Sequence, residues 1–242
     1  MAAVRLVGDL YQIAGDGLTH PWDGSAYVVD GPEPALIDCG SELGYPQMVE
    51  QLASLGLTPG DIGAVIGTHG HWDHLTGLES LRCAGRVRLY LHPDDAEGVE
   101  TGDPERTAAF LYDRPFPPLQ VDEALADGQI LSIPPYEFTV IHTPGHTPGG
   151  ICLLADIEGT RVLIAGDTVE GGYHPRIRSD LDAWRTSLER LIDLDFDAMT
   201  TGHRPPVLSR EPKVLLRRYQ KRFGQLFNPW FAMDDSAPEM VG

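Results

Sequence analysis

The sequence predicts an α/β fold, and three observations carry that prediction. Short apolar and β-branched runs recur along the chain, punctuated by Gly, Pro and Asp. Amphipathic stretches of helical period lie between them, and the pattern of several strands followed by a helix-bearing stretch occurs in each half. Several of the apolar runs stop in glycine-rich polar loops, where α/β proteins place their chemistry. At 242 residues the chain can bury one good-sized core. We read residues 1–242 as one domain.

Residues 4–13 contain two short β-prone pieces, and Ser25 to Asp30 and Ala35 to Asp38 follow as strands. Pro46 opens a helix carrying Val49, Leu52, Ala53 and Leu55, which Gly56 closes. Ile62 to Gly67 reads as a buried strand, Leu75 to Leu81 as a short helix and Arg86 to His92 as a strand. Residues 94–127 are the least regular, with helix expected over Glu105 to Tyr112 before the proline-rich 115–118. An insertion of this kind would shape substrate access. Strands resume at Gln129 to Ile133, Glu137 to Ile141, Ile151 to Ala155 and Arg161 to Ala165. Ser179 is placed to cap a helix presenting Leu181, Trp184, Leu188 and Leu191 on one face. Asp197 to Thr201 completes the strands, and Pro212 opens a last helix with Leu215, Leu216, Tyr219 and Phe223, followed by a tail to residue 242.

Composition narrows the function. Asp plus Glu outnumber Lys plus Arg by 36 to 18, a formal charge of −18, which repels phosphate backbones and disfavours a general nucleic-acid binder. The cysteines Cys39, Cys83 and Cys152 are odd in number, lack CxxC spacing and lie in or beside apolar segments. Buried free thiols in a reducing compartment are therefore expected. Met1 to Gly8 shows no signal-peptide pattern, and no apolar run approaches a membrane span. The expectation is a cytoplasmic protein with a small-molecule substrate and no membrane partner. Oligomeric state is left open.

The chemistry centres on Thr68-His69-Gly70-His71-Trp72-Asp73-His74, directly after an apolar run. Three imidazoles and a carboxylate within six residues are the donor types that suit zinc and its first-row neighbours. Three more candidates follow later strands, each beside a glycine: His146 after Gly145, Asp167 after Gly166 and His203 after Gly202. Glycine there lets backbone and metal approach closely. His20, His92, His142 and His174 fall outside the pattern and read as non-ligands. Thr68 and Thr201 are candidates to bond ligand side chains. Trp22 is a candidate for the mouth of a pocket.

On these residues the chain resembles the metallo-β-lactamase superfamily over about residues 10–205. The HxHxDH signature is met at His69, His71, Asp73 and His74, and the later His, Asp and His at His146, Asp167 and His203. The resemblance implies a four-layer αβ/βα sandwich of two facing mixed sheets with helices outside and a site at one edge. It implies His69, His71 and His146 on a first metal, Asp73, His74 and His203 on a second, and Asp167 bridging. Two divalent ions are implied, zinc first, with iron or manganese as alternatives. The activity implied is attack by a metal-bridging hydroxide on a carbonyl substrate, with Asp73 orienting it and carrying a proton to the leaving group. Thr-Pro-Gly-His-Thr-Pro-Gly-Gly at 143–150 looks most like the glyoxalase II, thioesterase and lactonase branch. The commonest β-lactamases place cysteine where Asp167 stands. Tyr173 and His174, six and seven residues beyond Asp167, are candidates to overhang the site for substrate contact, and Arg176 and Arg178, which follow the Asp167 loop, are candidates to anchor an acidic group on the substrate. The alternatives are a phosphodiesterase or nuclease of the same superfamily, a mononuclear iron persulfide dioxygenase, and a non-catalytic metal-binding module.

Overall fold

The computed structural model describes residues 2–222. In chain order its elements begin with β1 (Val4–Val7), β2 (Leu10–Ala14), β3 (Ala26–Val29), β4 (Ala35–Ile37), α1 (Tyr45–Ser54) and β5 (Ala64–Ile66). There follow α2 (Trp72–Leu75), α3 (Gly77–Ala84), β6 (Arg88–Leu91), α4 (Pro93–Thr101), α5 (Ala109–Tyr112) and β7 (Glu123–Ala124). The second half supplies β8 (Ile130–Ile133), β9 (Tyr136–His142), β10 (Ile151–Ile157), β11 (Thr160–Ile164), α6 (Leu181–Asp193), β12 (Ala198–Thr200) and α7 (Pro212–Arg222).

The strands form a seven-stranded sheet in the order β1 to β7 and a five-stranded sheet in the order β12-β11-β10-β9-β8. In the first, β1 to β4 are antiparallel and β4 to β7 run parallel. In the second, β8 to β11 alternate and β12 is parallel to β11. Strands β9, β11 and β12 therefore point the same way, and their C-terminal ends share one edge.

Strand residues alternate between two buried environments, as the period of two requires. Tyr27, Val29, Ile37 and Ile66 meet Phe138, Val140, Leu153 and Ile164 between the sheets. Their neighbours Val28, Leu36 and Val65 face outward onto Met48, Leu52, Leu78 and Leu81 of the helices. On the other side, Cys152, Leu163 and Met199 face Trp184, Leu188, Leu191 and Leu216. Three apolar interfaces thus hold four layers, α-β-β-α, as the resemblance implies. Each fully buried Leu, Ile or Phe contributes about 1.5–3 kcal/mol to that adhesion.

Several local expectations are corrected. The helix expected at 75–81 is two helices: α2 begins within the histidine motif at Trp72 and breaks at Thr76, whose hydroxyl bonds the Trp72 carbonyl. Helix α1 buries Met48, Gln51 and Leu52 and leaves Ala53 exposed. Only Ala109–Tyr112 of the helix expected over 105–112 forms, because Ala108 takes a left-handed φ of 58°. Helix α4 went unread, although Pro93 at its first turn signals a start. The cap of α6 is Asp180, not Ser179; its carboxylate accepts from the backbone of Asp182 and Ala183. Cys39 and Cys152 are buried thiols, but Cys83 sits on the solvent side of α3. The expectation for Phe223 lies outside the described residues, where the tail 223–242 also falls.

Candidate metal centre

Strand β5 ends between β4 and β6, and the chain turns there to present the histidine motif. Asp38, just past β4 with a left-handed φ of 55°, organises that turn. Its carboxylate accepts from the Thr68 amide and hydroxyl, both at 2.7 Å, and faces His74 Nδ1 at 2.8 Å. His74 Nε2 is left to point into the cluster. His69 Nδ1 lies 3.1 Å from the Thr68 hydroxyl, which likewise frees its Nε2. His71 is the N-cap of α2 in extended conformation, whereas Asp73 and His74 lie on the helix itself. One motif thereby aims its side chains in two directions.

The second sheet delivers the other three residues from one edge. His146 sits in the loop that connects β9 to β10, and its Nδ1 donates to the Gly172 carbonyl at 2.7 Å. His146 Nε2 then faces His71 Nδ1 at 3.1 Å. Asp167 sits in a tight turn after β11, with Oδ1 3.3 Å from His74 Nε2. Its Oδ2 lies 3.4 Å from His146 Nε2 and 3.3 Å from His203 Nε2. His203 follows β12 and stands 3.2 Å from Asp73 Oδ2. A Cβ at Gly202 would overlap the Asp167 carboxylate, so only glycine lets this loop pass.

The ligand atoms gather into overlapping groups: His69, His71 and His146; His69, His74 and Asp167; Asp73, His74 and His203. Within each, the ligand atoms lie within 4.8 Å of one another. His69 Nε2 is buried with no hydrogen-bond partner, an arrangement that costs about 1–3 kcal/mol when nothing fills it. Converging imidazole lone pairs, an orphaned ring nitrogen and two carboxylates fit a divalent cation.

The two sides of the cluster differ in charge. Burial, reinforced by neighbouring histidines, holds His69 and His71 well below the ordinary histidine value, and burial also lowers His146. These three are neutral, the form that binds a metal. Burial would lower His74 too, but the carboxylates of Asp73, Asp167 and Asp38 outweigh it and hold it well above that value. Against burial, Asp167 and Asp73 likewise raise His203 to about 10. Burial opposes ionisation of Asp73, yet His74 and His203 hold its carboxyl at about 2. Without a cation, protons on His74 and His203 balance the carboxylates.

Two further buried carboxylates hold the loops, and sequence reasoning missed both together with Asp38. Asp95, in the first turn of α4, accepts from the Gly70 amide at 2.9 Å, the Thr147 hydroxyl at 2.8 Å and the Gly149 amide at 2.8 Å. It thereby ties the His69–His71 loop to the His146 loop. Glu170 accepts from the Thr201 hydroxyl and from both Arg204 Nε and Nη2, clamping the loop that carries His203. The local signal at Asp95 is an acidic first turn, which reads as helix capping.

The centre floors a cavity of about 540 Å³ whose walls include Trp22, Leu111, Tyr112, His174 and Ile177. Tyr173 packs against the core beneath α6 instead. Arg176 bonds Glu105 and lies over the Phe110 ring, and Arg178 caps its turn in left-handed conformation. The proline-rich part of 94–127 packs Phe116 and Leu119 on the outer face of the first sheet. His20 packs edge-on to Trp22. His92, His142 and Asp94 form another group, but the two rings stack nearly parallel at 3.9 Å and 12°, so their in-plane lone pairs do not converge on one point.

Known proteins share this architecture. BJP-1, a subclass B3 metallo-beta-lactamase of Bradyrhizobium japonicum, superposes with a TM-score of 0.77 at 19% identity, covering 91% of each chain; at that identity the likeness is one of fold. An uncharacterized protein of Aquifex aeolicus (strain VF5) is 35% identical over 108 residues, 45% of this chain and 49% of that one. The acyl-coenzyme A thioesterase MBLAC2 of Gallus gallus is 29% identical over 194 residues, 69% of this chain and 66% of that one. In both, the match spans less than two thirds of the relative's length. No helix among the described residues is long and apolar enough to cross a membrane. The profile of the Metallo-beta-lactamase superfamily matches residues 20–203, three quarters of the sequence and every candidate ligand, and the chain belongs to that superfamily.

Proposed function

We propose that the protein is a dinuclear, metal-dependent hydrolase of a carbonyl substrate, with a thioester as the first choice. The observation that carries this reading is the convergence of seven ligand-type side chains from two sheets, five of which line one open cavity. His69, His71 and His146 would hold one divalent ion, Asp73, His74 and His203 the other, and Asp167, whose oxygens face both sides, would lie between them. Bound there, two zinc ions would polarise the substrate carbonyl and acidify a water.

The chain's own residues have distinct tasks. Asp73 lies in the cavity lining and on the charged side of the cluster, where its carboxylate can orient the attacking water and pass a proton to the leaving group. His146 is fixed by the Gly172 carbonyl, and His74 by Asp38, so neither ring turns away when substrate enters. Trp22 and Tyr112 form an aromatic wall on one side of the cavity. A thioester is favoured because the matching thioesterase relative aligns over most of this chain. The acidic balance disfavours a phosphodiester.

The test is turnover of a panel of thioesters, lactones, β-lactams and a phosphodiester by zinc-loaded and chelator-treated protein. Chelator-sensitive hydrolysis of a thioester or lactone is expected. Turnover of the phosphodiester alone would overturn the carbonyl reading.

A further inference from the structure

Resting on the carbonyl-hydrolase reading, we propose that the cavity selects an uncharged, apolar acyl group and rejects one that carries a carboxylate. One wall is an aromatic stack. Trp22 stays 45% exposed although it is among the largest apolar side chains of the protein. It is held by ring contacts to Tyr112 at 5.7 Å and Trp72 at 6.5 Å, and Tyr112 stacks on Trp72 at 4.7 Å and 25°. Pro21, Leu111 and Ile177 extend the same apolar surface. A fixed aromatic face open to solvent is binding surface whose ordering cost is met before a ligand arrives.

The charge pattern supplies the discrimination. Among the described residues that line the cavity there is no lysine or arginine. Two arginines near its walls in sequence are engaged elsewhere, and Arg178, next to Ile177, is exposed and outside the lining. Arg204 is bidentate on Glu170, and Arg176 pairs with Glu105 while covering Phe110. Asp16 adds an acidic group to the rim. With the histidines engaged by metal, a substrate carboxylate would lose hydration without gaining a lysine or arginine partner. The metal centre would be its only attractive partner, and a carboxylate there occupies the place of the scissile carbonyl. An aliphatic or aromatic acyl chain loses nothing and gains the Trp22 face.

The experiment uses a matched pair, the hexanoyl and adipoyl thioesters of N-acetylcysteamine, which differ by a terminal carboxylate. The zinc-loaded full chain should show at least about a tenfold higher kcat/KM for the hexanoyl ester. Trp22→Ala should shrink that ratio by raising KM for the hexanoyl ester, and Asp16→Asn should shrink it by improving the adipoyl ester. Equal turnover, or preference for adipoyl, overturns the proposal. A second readout does not need the reaction: the zinc-loaded protein is titrated with the corresponding non-hydrolysable thioethers while tryptophan fluorescence is followed. Tighter binding of the hexanoyl thioether supports the proposal, and equal or weaker binding overturns it. If neither ester turns over yet the thioethers are discriminated, the carbonyl-hydrolase reading has failed and the apolar site stands.

Discussion

The Asp38 carboxylate, 30 residues upstream of the histidine motif it steadies, faces His74 Nδ1 at 2.8 Å and also holds the amide and hydroxyl of Thr68. Three donors converge on one buried side chain that is only 1% exposed. Asp38 therefore sets both the tautomer of His74 and the exit path of β5. Asp38→Ala should weaken metal binding about 10- to 100-fold while leaving the far-UV circular dichroism of the fold in place. Metal content after competition with a graded chelator series checks this. Wild-type retention would show that His74 needs no such partner.

Asp95 does for the other side of the cluster what Asp38 does for His74. Asp95→Ala would leave the Gly70 amide, the Gly149 amide and the Thr147 hydroxyl without their acceptor. At about 1 kcal/mol or more each, the loss is about 3 kcal/mol, or roughly 6–12 °C in melting temperature for a chain of this size. Thermal unfolding measures it directly, and a shift under 2 °C, far below this estimate, would mean that the loops are held by other contacts.

Asp73 should be indispensable to turnover and dispensable to folding. Asp73→Ala is expected to reduce kcat by about 10²-fold or more. His69, His71 and His146 should still retain metal, because none of them depends on Asp73 for a hydrogen bond. Activity close to wild type in a folded, metal-bearing variant would remove Asp73 from the role proposed for it. His146→Ala should do the reverse and lower metal content on that side.

The metal-free protein should be most stable near the ordinary histidine value of 6.5. His69, His71 and His146 are lowered in the fold, so the unfolded chain takes up protons that the folded chain refuses. Their contribution is present above 6.5 and is lost as pH falls below it. His74 and His203 are raised, so their contributions are full below 6.5 and fade at higher pH, that of His203 as pH climbs toward about 10. A cation must displace the protons on His74 and His203, so binding at neutral pH should release protons and tighten as pH rises. Calorimetry in buffers of different ionisation enthalpy reads the release. A buffer-independent heat would contradict the charged state assigned to that pair.

The sequence by itself determined the fold class, most element positions and all seven residues now gathered at the centre. It could do so because those signals are local. A dense run of imidazole and carboxylate groups follows β5, and His146, Asp167 and His203 each close an apolar strand beside a glycine. Periodicity placed the strands but erred where one residue's backbone decided the outcome, as at Ala108, or where burial depends on which helix face meets a sheet, as at Cys83.

Only the tertiary structure revealed Asp38, Asp95 and Glu170. In sequence they are three acidic residues among 36. Their roles arise from contacts 25 to 54 residues away, and no local pattern encodes those. The same holds for the tethered arginines and the aromatic wall, which exist because Trp22, Trp72 and Tyr112 come from three separate segments. Which side chains could hold a metal is written in side-chain chemistry along the chain. Ligand orientation and pocket character come from packing two sheets face to face, which brings distant carboxylates and rings within a few ångströms of the site.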